Sequence, residues 1–133
     1  MARKRSATLT DAEYRLMDIL WYRQSATVGE VVDALPKDLG LAYNTVLTTL
    51  RILEQKGYVR HKASGRAFIY FPKIGREDAQ RQVVDHVVSR FFNNSPRELV
   101  VNLLESERLD DAELLRLQQI IESARTSERD KTA

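Results

Sequence analysis

The sequence predicts a mainly α fold with a small β-hairpin: an N-terminal winged helix-turn-helix followed by a three-helix dimerisation module. Three observations predict it. Helix-start signals recur at Thr10-Asp11-Ala12-Glu13, Thr27-Val28-Gly29-Glu30 and Ser95-Pro96-Arg97-Glu98, each a hydroxyl residue followed three positions later by a glutamate. The apolar period changes from 3.6 to 2 just after Gly57. The order helix, helix, helix, hairpin is complete within about 70 residues, and the second half is helical throughout.

Taken in order, the first helix opens at the Thr10 capping box, with Leu9 and Tyr14 placed to form a hydrophobic staple. Leu16, Ile19 and Leu20 give it a buried face. Val28, Val31, Val32 and Leu35 make the second helix amphipathic, and Pro36 ends it. Val46, Leu50 and Leu53 form the core stripe of the third, which stops at Gly57; its start is poorly marked, because Ala42 is a weak cap. Tyr58-Val59-Arg60-His61-Lys62 and Ala67-Phe68-Ile69-Tyr70-Phe71 read as strands joined by the turn Ala63-Ser64-Gly65-Arg66, and Pro72 closes the second. Val83, Val84, Val87, Val88, Phe91 and Phe92 mark a fourth helix. Leu99, Val100, Val101, Leu103 and Leu104 mark a fifth. The sixth opens at Asp110-Asp111-Ala112-Glu113 and carries Leu114, Leu115, Leu117, Ile120 and Ile121. The expected organisation is a winged-helix domain over residues 1–73, a helical dimerisation domain over 74–126 and a disordered tail over 127–133.

Composition narrows the class. At 133 residues, 43% hydrophobic and 30% charged, the chain suits one ordinary domain, or a small domain plus a dimerisation segment, with a packed core. It holds no run of 18 apolar residues, so no membrane insertion is expected. The basic start Arg3-Lys4-Arg5 leads into no apolar stretch and reads as no secretory signal. The absence of cysteine excludes disulfides and thiolate metal sites and fits a cytoplasmic protein. The net charge of +2 divides unevenly: residues 1–72 carry +4 and residues 73–133 carry −2. An anionic partner is therefore expected to meet the first half.

In a helix-turn-helix the second helix of the pair enters the major groove. With Val46, Leu50 and Leu53 inward, Asn44, Thr45, Thr48, Arg51 and Gln55 face outward. Asn and Gln suit adenine, Arg suits guanine, and the Thr methyl suits thymine. Ala42 and Tyr43, at the helix start, are also expected to touch DNA, and the small hydroxyl residues there let the backbone approach phosphate closely. Lys62 and Arg66, with Arg60 and His61, make the wing basic, and Arg3, Lys4 and Arg5 could form an arm. The same pattern also describes a solvated polar face and a solvated basic terminus.

The second half carries too much apolar surface for three helices hanging from a small domain. A symmetric homodimer would bury it, through Val84, Val87, Val88, Phe91, Phe92, Leu99, Leu103, Leu117, Ile120 and Ile121. The alternative is a monomer in which these helices fold back. His61 and His86 are far apart, and neither a phosphate loop nor a metal-ligand cluster is visible, so no catalytic residue, metal or cofactor is expected. A winged helix serving as a protein-interaction adaptor is the alternative function. It would more naturally show an apolar patch where this chain has polar residues.

The stretches Leu20-Trp21, Leu41-Ala42-Tyr43-Asn44-Thr45-Val46-Leu47-Thr48-Thr49-Leu50, Leu53-Glu54-Gln55-Lys56-Gly57 and Arg90-Phe91-Phe92-Asn93-Asn94-Ser95 resemble the penicillinase-repressor family, which includes the methicillin-resistance and copper-responsive repressors. Leu99-Val100-Val101-Asn102-Leu103-Leu104-Glu105 is similar too, and the likeness runs from about Leu9 to Ser123. The resemblance implies a homodimeric repressor on a dyad operator in double-stranded DNA, released on signal. In the β-lactam branch it implies cleavage in the fifth helix at an Asn followed by Phe, by a sensor-linked protease. Here the pair is Asn102-Leu103, so the Asn matches and the next residue departs. The copper branch uses Cys-x-Cys motifs, which a chain without cysteine lacks.

Overall fold

A computed structural model describes residues 8–132. Arg3, Lys4 and Arg5 of the expected arm lie outside the described residues. The elements run α1 Asp11–Arg23, β1 Ala26–Thr27, α2 Val28–Ala34, a 3₁₀ turn at Lys37–Leu39, α3 Tyr43–Lys56, β2 Val59–Ser64, β3 Ala67–Pro72, α4 Arg76–Phe91, α5 Pro96–Glu105 and α6 Asp111–Thr132. The chain divides into two compact units, Met1–Val87 and Val88–Ala133.

In the first unit both capping boxes close. Glu13 N–H donates to Thr10 Oγ1 at 3.2 Å and Thr10 N–H to Glu13 Oε1 at 2.9 Å. Thr27 and Glu30 repeat the exchange at the start of α2. This helix start makes a reciprocal pair because the N-cap hydroxyl and the third-position carboxylate each reach the other's backbone N–H. The core joins Leu16, Met17 and Leu20 of α1, Val28 and Val31 of α2, and Val46, Leu50 and Leu53 of α3. Tyr58, Val59 and Tyr70 from the hairpin complete it.

The hairpin is flanked by a strand the period could not reveal. β1, two residues long, pairs with β3 through Ala26–Tyr70 and Thr27–Ile69, giving an antiparallel sheet ordered β1-β3-β2. Two residues between two helices carry no readable alternation. β2 and β3 pair from Val59–Pro72 to Ser64–Ala67, so the reversal is tighter than the four-residue turn expected. Gly65 takes φ +63 there, the left-handed region that glycine enters without Cβ strain.

The boundary falls later than the expected 73/74 because the first half of α4 is part of the winged-helix unit. Ala79 is fully buried in that core, Tyr58 Oη donates to Gln82 Oε1 at 2.9 Å, and Trp21 Nε1 donates to the Ile74 carbonyl at 2.9 Å. Arg76 binds Asp18 at 2.5 Å and lies 4.8 Å from the centre of the Trp21 ring.

In the second unit, Asn93 and Asn94 both take positive φ between α4 and α5, and Ser95 Oγ accepts from Glu98 N–H at 3.3 Å. α6 runs on to Thr132, through residues expected to form a disordered tail. Its polar end is helical for local reasons. Arg125–Glu122 and Lys131–Glu128 pair three residues apart, and Arg129 and Lys131 sit where the helix dipole favours cations.

Lys56 Nζ reaches Glu13 Oε1 at 2.7 Å, with both side chains 6% exposed. Removing one member of a buried pair strands the other charge. Lys56→Met is expected to lower unfolding free energy by about 3–5 kcal/mol, and the double variant Glu13→Gln/Lys56→Met by clearly less. Urea denaturation of both variants checks this.

Candidate nucleic-acid interface

α3 turns its sides to different neighbours. Val46, Leu50 and Leu53 face the core, while Asn44, Thr45, Thr48, Arg51 and Gln55 are exposed, the division the 3.6 period dictates. Tyr43 is exposed as well. The N-cap Ala42 is extended and offers no side-chain acceptor, so no side chain caps the first turn of α3. Thr49 Oγ1 bonds back to the Thr45 carbonyl at 2.8 Å. At the other end Gly57 takes φ +90 and its N–H returns to the Glu54 carbonyl at 3.1 Å, ending the helix and reversing the chain into β2.

The hairpin has two faces. Val59, His61, Phe68 and Tyr70 share one, and Arg60, Lys62, Ile69 and Phe71 share the other, where the Arg60 guanidinium lies 4.6 Å from the Phe71 ring centre. Lys62 is exposed on that second face, and Arg66 is exposed at the tip beside Gly65. Asn44, Thr48, Arg51 and Gln55 therefore form one surface of α3, Arg66 projects from the hairpin tip, and Lys62 lies on the opposite hairpin face from His61.

Sequence reasoning named His61 but missed what holds it. Glu54, in the last turns of α3, receives the His61 Nδ1 at 2.6 and 2.8 Å through its two oxygens. The imidazole also stands edge-on to Phe68, with centroids 5.0 Å apart, and lies 5.4 Å from the Tyr70 ring. The available signal was Gly57: a chain reversal there sets residues just before it opposite residues just after it.

Tyr70 is 2% exposed. Burial pushes its hydroxyl above the usual tyrosine value, the Glu54 carboxylate adds to the rise, and Arg51 opposes it. Burial likewise raises Tyr58, with the Glu13 charge adding to it.

The second unit shows a different surface. Phe91 is 70% exposed, and Leu103, Ile120 and Ile121 are each at least half exposed. Val100, Val101, Leu104, Leu114, Leu115 and Leu117 are exposed too. Of the other expected dimer residues, Phe92 and Leu99 are half-buried and Val88 is buried within the chain. Val84 and Val87 belong to the first unit, the former exposed and the latter half-buried. Asn102 and Leu103 are exposed within α5.

Three helices, a sheet-backed hairpin and a polar outward face on the third helix define a winged helix-turn-helix of the DNA-binding class. The penicillinase repressor family model matches residues 9–123, and the chain belongs to that family. It is 32% identical over 119 residues to the penicillinase repressor of Bacillus licheniformis, covering 90% of this chain and 93% of that protein. It is 34% identical over 110 residues to the transcriptional regulator BlaI of Mycobacterium tuberculosis, covering 81% and 80%. A solution structure of the DNA-binding domain of the repressor BlaI matches with a TM-score of 0.49 and 33% identity, covering 57% of this chain and 93% of that one.

Tyr58 and Tyr70 bear on alkaline stability. A hydroxyl whose folded pKa is raised contributes stability below the unfolded value, near 10, and loses it as pH rises through the folded value. Stability is expected to fall above about pH 10, less steeply in Tyr70→Phe. Denaturant melts at stepped alkaline pH check it.

Proposed function

We propose that the protein is a cytoplasmic transcriptional repressor that binds a dyad-symmetric DNA operator as a homodimer, with α3 in the major groove and the hairpin against the backbone. The observation that carries this reading is the exposed polar face of α3 beside a basic hairpin, in a chain of the penicillinase repressor family. Asn44, Thr48 and Arg51 are the base readers, with Gln55 at the far end of the face. Ala42, Tyr43 and Thr45 bring the uncapped start of α3 to a phosphate, where backbone N–H groups and the helix dipole favour an anion. Lys62 and Arg66 hold the backbone. Phosphate contacts set register, and base contacts set sequence.

Apolar exposure on the second unit supports the dimer. A second copy offers the same stripe on α5 and α6, and a two-fold contact buries both at once. The reading extends to a β-lactam-type resistance response in which a sensor-linked protease cuts at Asn102-Leu103. That bond lies inside a ten-residue helix with no buried residue, so local opening exposes it readily. Cutting there removes the last three residues of α5 and all of α6 from the DNA-binding unit.

Fluorescence anisotropy of the full chain on duplex from upstream of its own gene, with unrelated duplex as competitor, tests the reading. Competitor-resistant binding of two protomers per site, weakening steeply with salt, supports it. Failure on that duplex and on DNA selected from random sequence would leave the adaptor function. Arg51→Ala is expected to cost about 1–3 kcal/mol on the specific site, and Lys62→Ala to reduce the salt slope by about 1. A chain ending at Asn102 is expected to bind about 100-fold more weakly than the full chain, because bivalent attachment is lost. Equal affinity would rule out dimer splitting as the release step.

A further inference from the structure

The DNA-binding reading assigns roles to side chains that point outward, but leaves Glu54 and His61 unexplained. A carboxylate on the reader helix of a DNA-binding protein is electrostatically adverse, since it faces the same phosphates that Arg51, Lys62 and Arg66 attract. Here the carboxylate is spent on the wing. Both of its oxygens meet His61 Nδ1, at 2.6 and 2.8 Å, and the imidazole is held edge-on to Phe68 and beside Tyr70. Two side chains about one-third exposed thus join α3 to β2 across the Gly57 reversal.

We propose that Glu54 and His61 are positioning residues that clamp the wing to the reader helix, and that specific DNA binding is linked to proton uptake by His61. The inference rests on the DNA-binding reading above. The groups facing His61 are Glu54 from α3, with Arg51 one turn before it, and Phe68 and Tyr70 from β3. On β2 itself, Arg60 and Lys62 lie on the other face of the hairpin. Of these groups the Glu54 carboxylate is the one that favours an imidazolium.

The direction follows from charge. Imidazole is the side chain whose charge changes between about pH 5 and 8. Specific DNA engages α3 and the wing together and so favours the state in which the Glu54–His61 contact holds the two at one spacing. A protonated His61 neutralises Glu54 and donates to it a charge-assisted hydrogen bond that fixes the wing. Bound protein therefore holds the proton more tightly than free protein, and affinity rises as pH falls through the imidazole range. Binding without the clamp loses register more than overall charge attraction, so the response belongs to specific DNA.

The test uses the full chain and a labelled duplex enriched by it from random-sequence DNA, with an unrelated duplex alongside, between pH 7.5 and 6.0. The wild type is expected to bind the enriched duplex about threefold or more tightly at the lower pH, with a smaller change on the unrelated one. His61→Gln is expected to abolish this response. Glu54→Gln is expected to shrink it, and to add no further loss of pH response in the His61→Gln background. His86→Gln, which alters the other histidine in the chain, is expected to keep the wild-type response. Thermal melts confirm that each variant is folded, and His61→Ala stands in should the glutamine variant melt early. A wild-type response surviving in His61→Gln, or an equal response on both duplexes, overturns the clamp. Failure to enrich any duplex overturns the DNA-binding reading itself.

Discussion

The placement of α3 depends on one buried contact. Glu13 Oε1 closes the cap of α1 by accepting from Thr10 N–H, and the same oxygen accepts from Lys56 Nζ. Lys56 also donates to the Thr8 carbonyl at 2.9 Å. The first turn of α1 and the last turn of α3 are thus locked through a single carboxylate. Buried ion pairs contribute little net stability, because desolvation offsets most of the attraction, but losing one partner strands the other charge. The opposite end of α3 has no side-chain cap, since Ala42 offers no acceptor. Its apolar row fixes which face is inward, and Lys56 ties its last turn to α1.

From that anchor the wing follows. One residue beyond Lys56, Gly57 turns the chain with φ +90, and Tyr58 N–H returns to the Leu53 carbonyl at 3.0 Å. Tyr58 is fully buried, and its hydroxyl ties the turn to Gln82 of α4. Lys73 N–H closes on the Tyr58 carbonyl at 2.8 Å, so the hairpin is held where it leaves the core and where it returns. An L-residue in place of Gly57 would be strained at that φ whatever the surrounding space. α3 and the hairpin are therefore two products of one reversal.

Local chemistry was legible in the sequence, and contacts across elements were not. Thr10, Thr27, Ser95 and Asp110 each cap as their residue types dictate, Asp110 Oδ1 accepting from Glu113 N–H at 2.8 Å. Val46, Leu50 and Leu53 are buried as the helical period requires. β1 escaped because its two residues exist as a strand only through pairing with β3. The division of α4 escaped because Ala79 and Gln82 look like ordinary surface-helix residues until Tyr58 is placed beside them. The outward face of α3 was readable as a set of residue types, but Glu54 was not separable from it. A glutamate aimed at a histidine seven positions later reads in sequence as a solvated charge. The helical end of α6 went unread because it shows no apolar stripe, and its contacts are short-range ones such as Arg125–Glu122 and Thr126 to the Glu122 carbonyl.

The two units bury their apolar residues very differently, and the contrast constrains how the second one folds. The first unit closes a core of fully buried side chains, and no buried polar side-chain atom lacks a partner among the described residues. In the second, neither α5 nor α6 buries a residue among those described. Isolated helices such as these, of 10 and 22 residues, gain little on their own in water, because nucleation is costly and intrinsic propensity repays it slowly. The leucine, isoleucine and valine stripe supplies the missing stabilisation only when something covers it. In the proposed dimer, folding of α5 and α6 and association of the two chains are one event, with a midpoint set by protein concentration. A cut at Asn102-Leu103 would then remove Leu103, Leu104 and the whole α6 part of the stripe. The DNA-binding unit, whose core closes without them, would remain folded but monovalent.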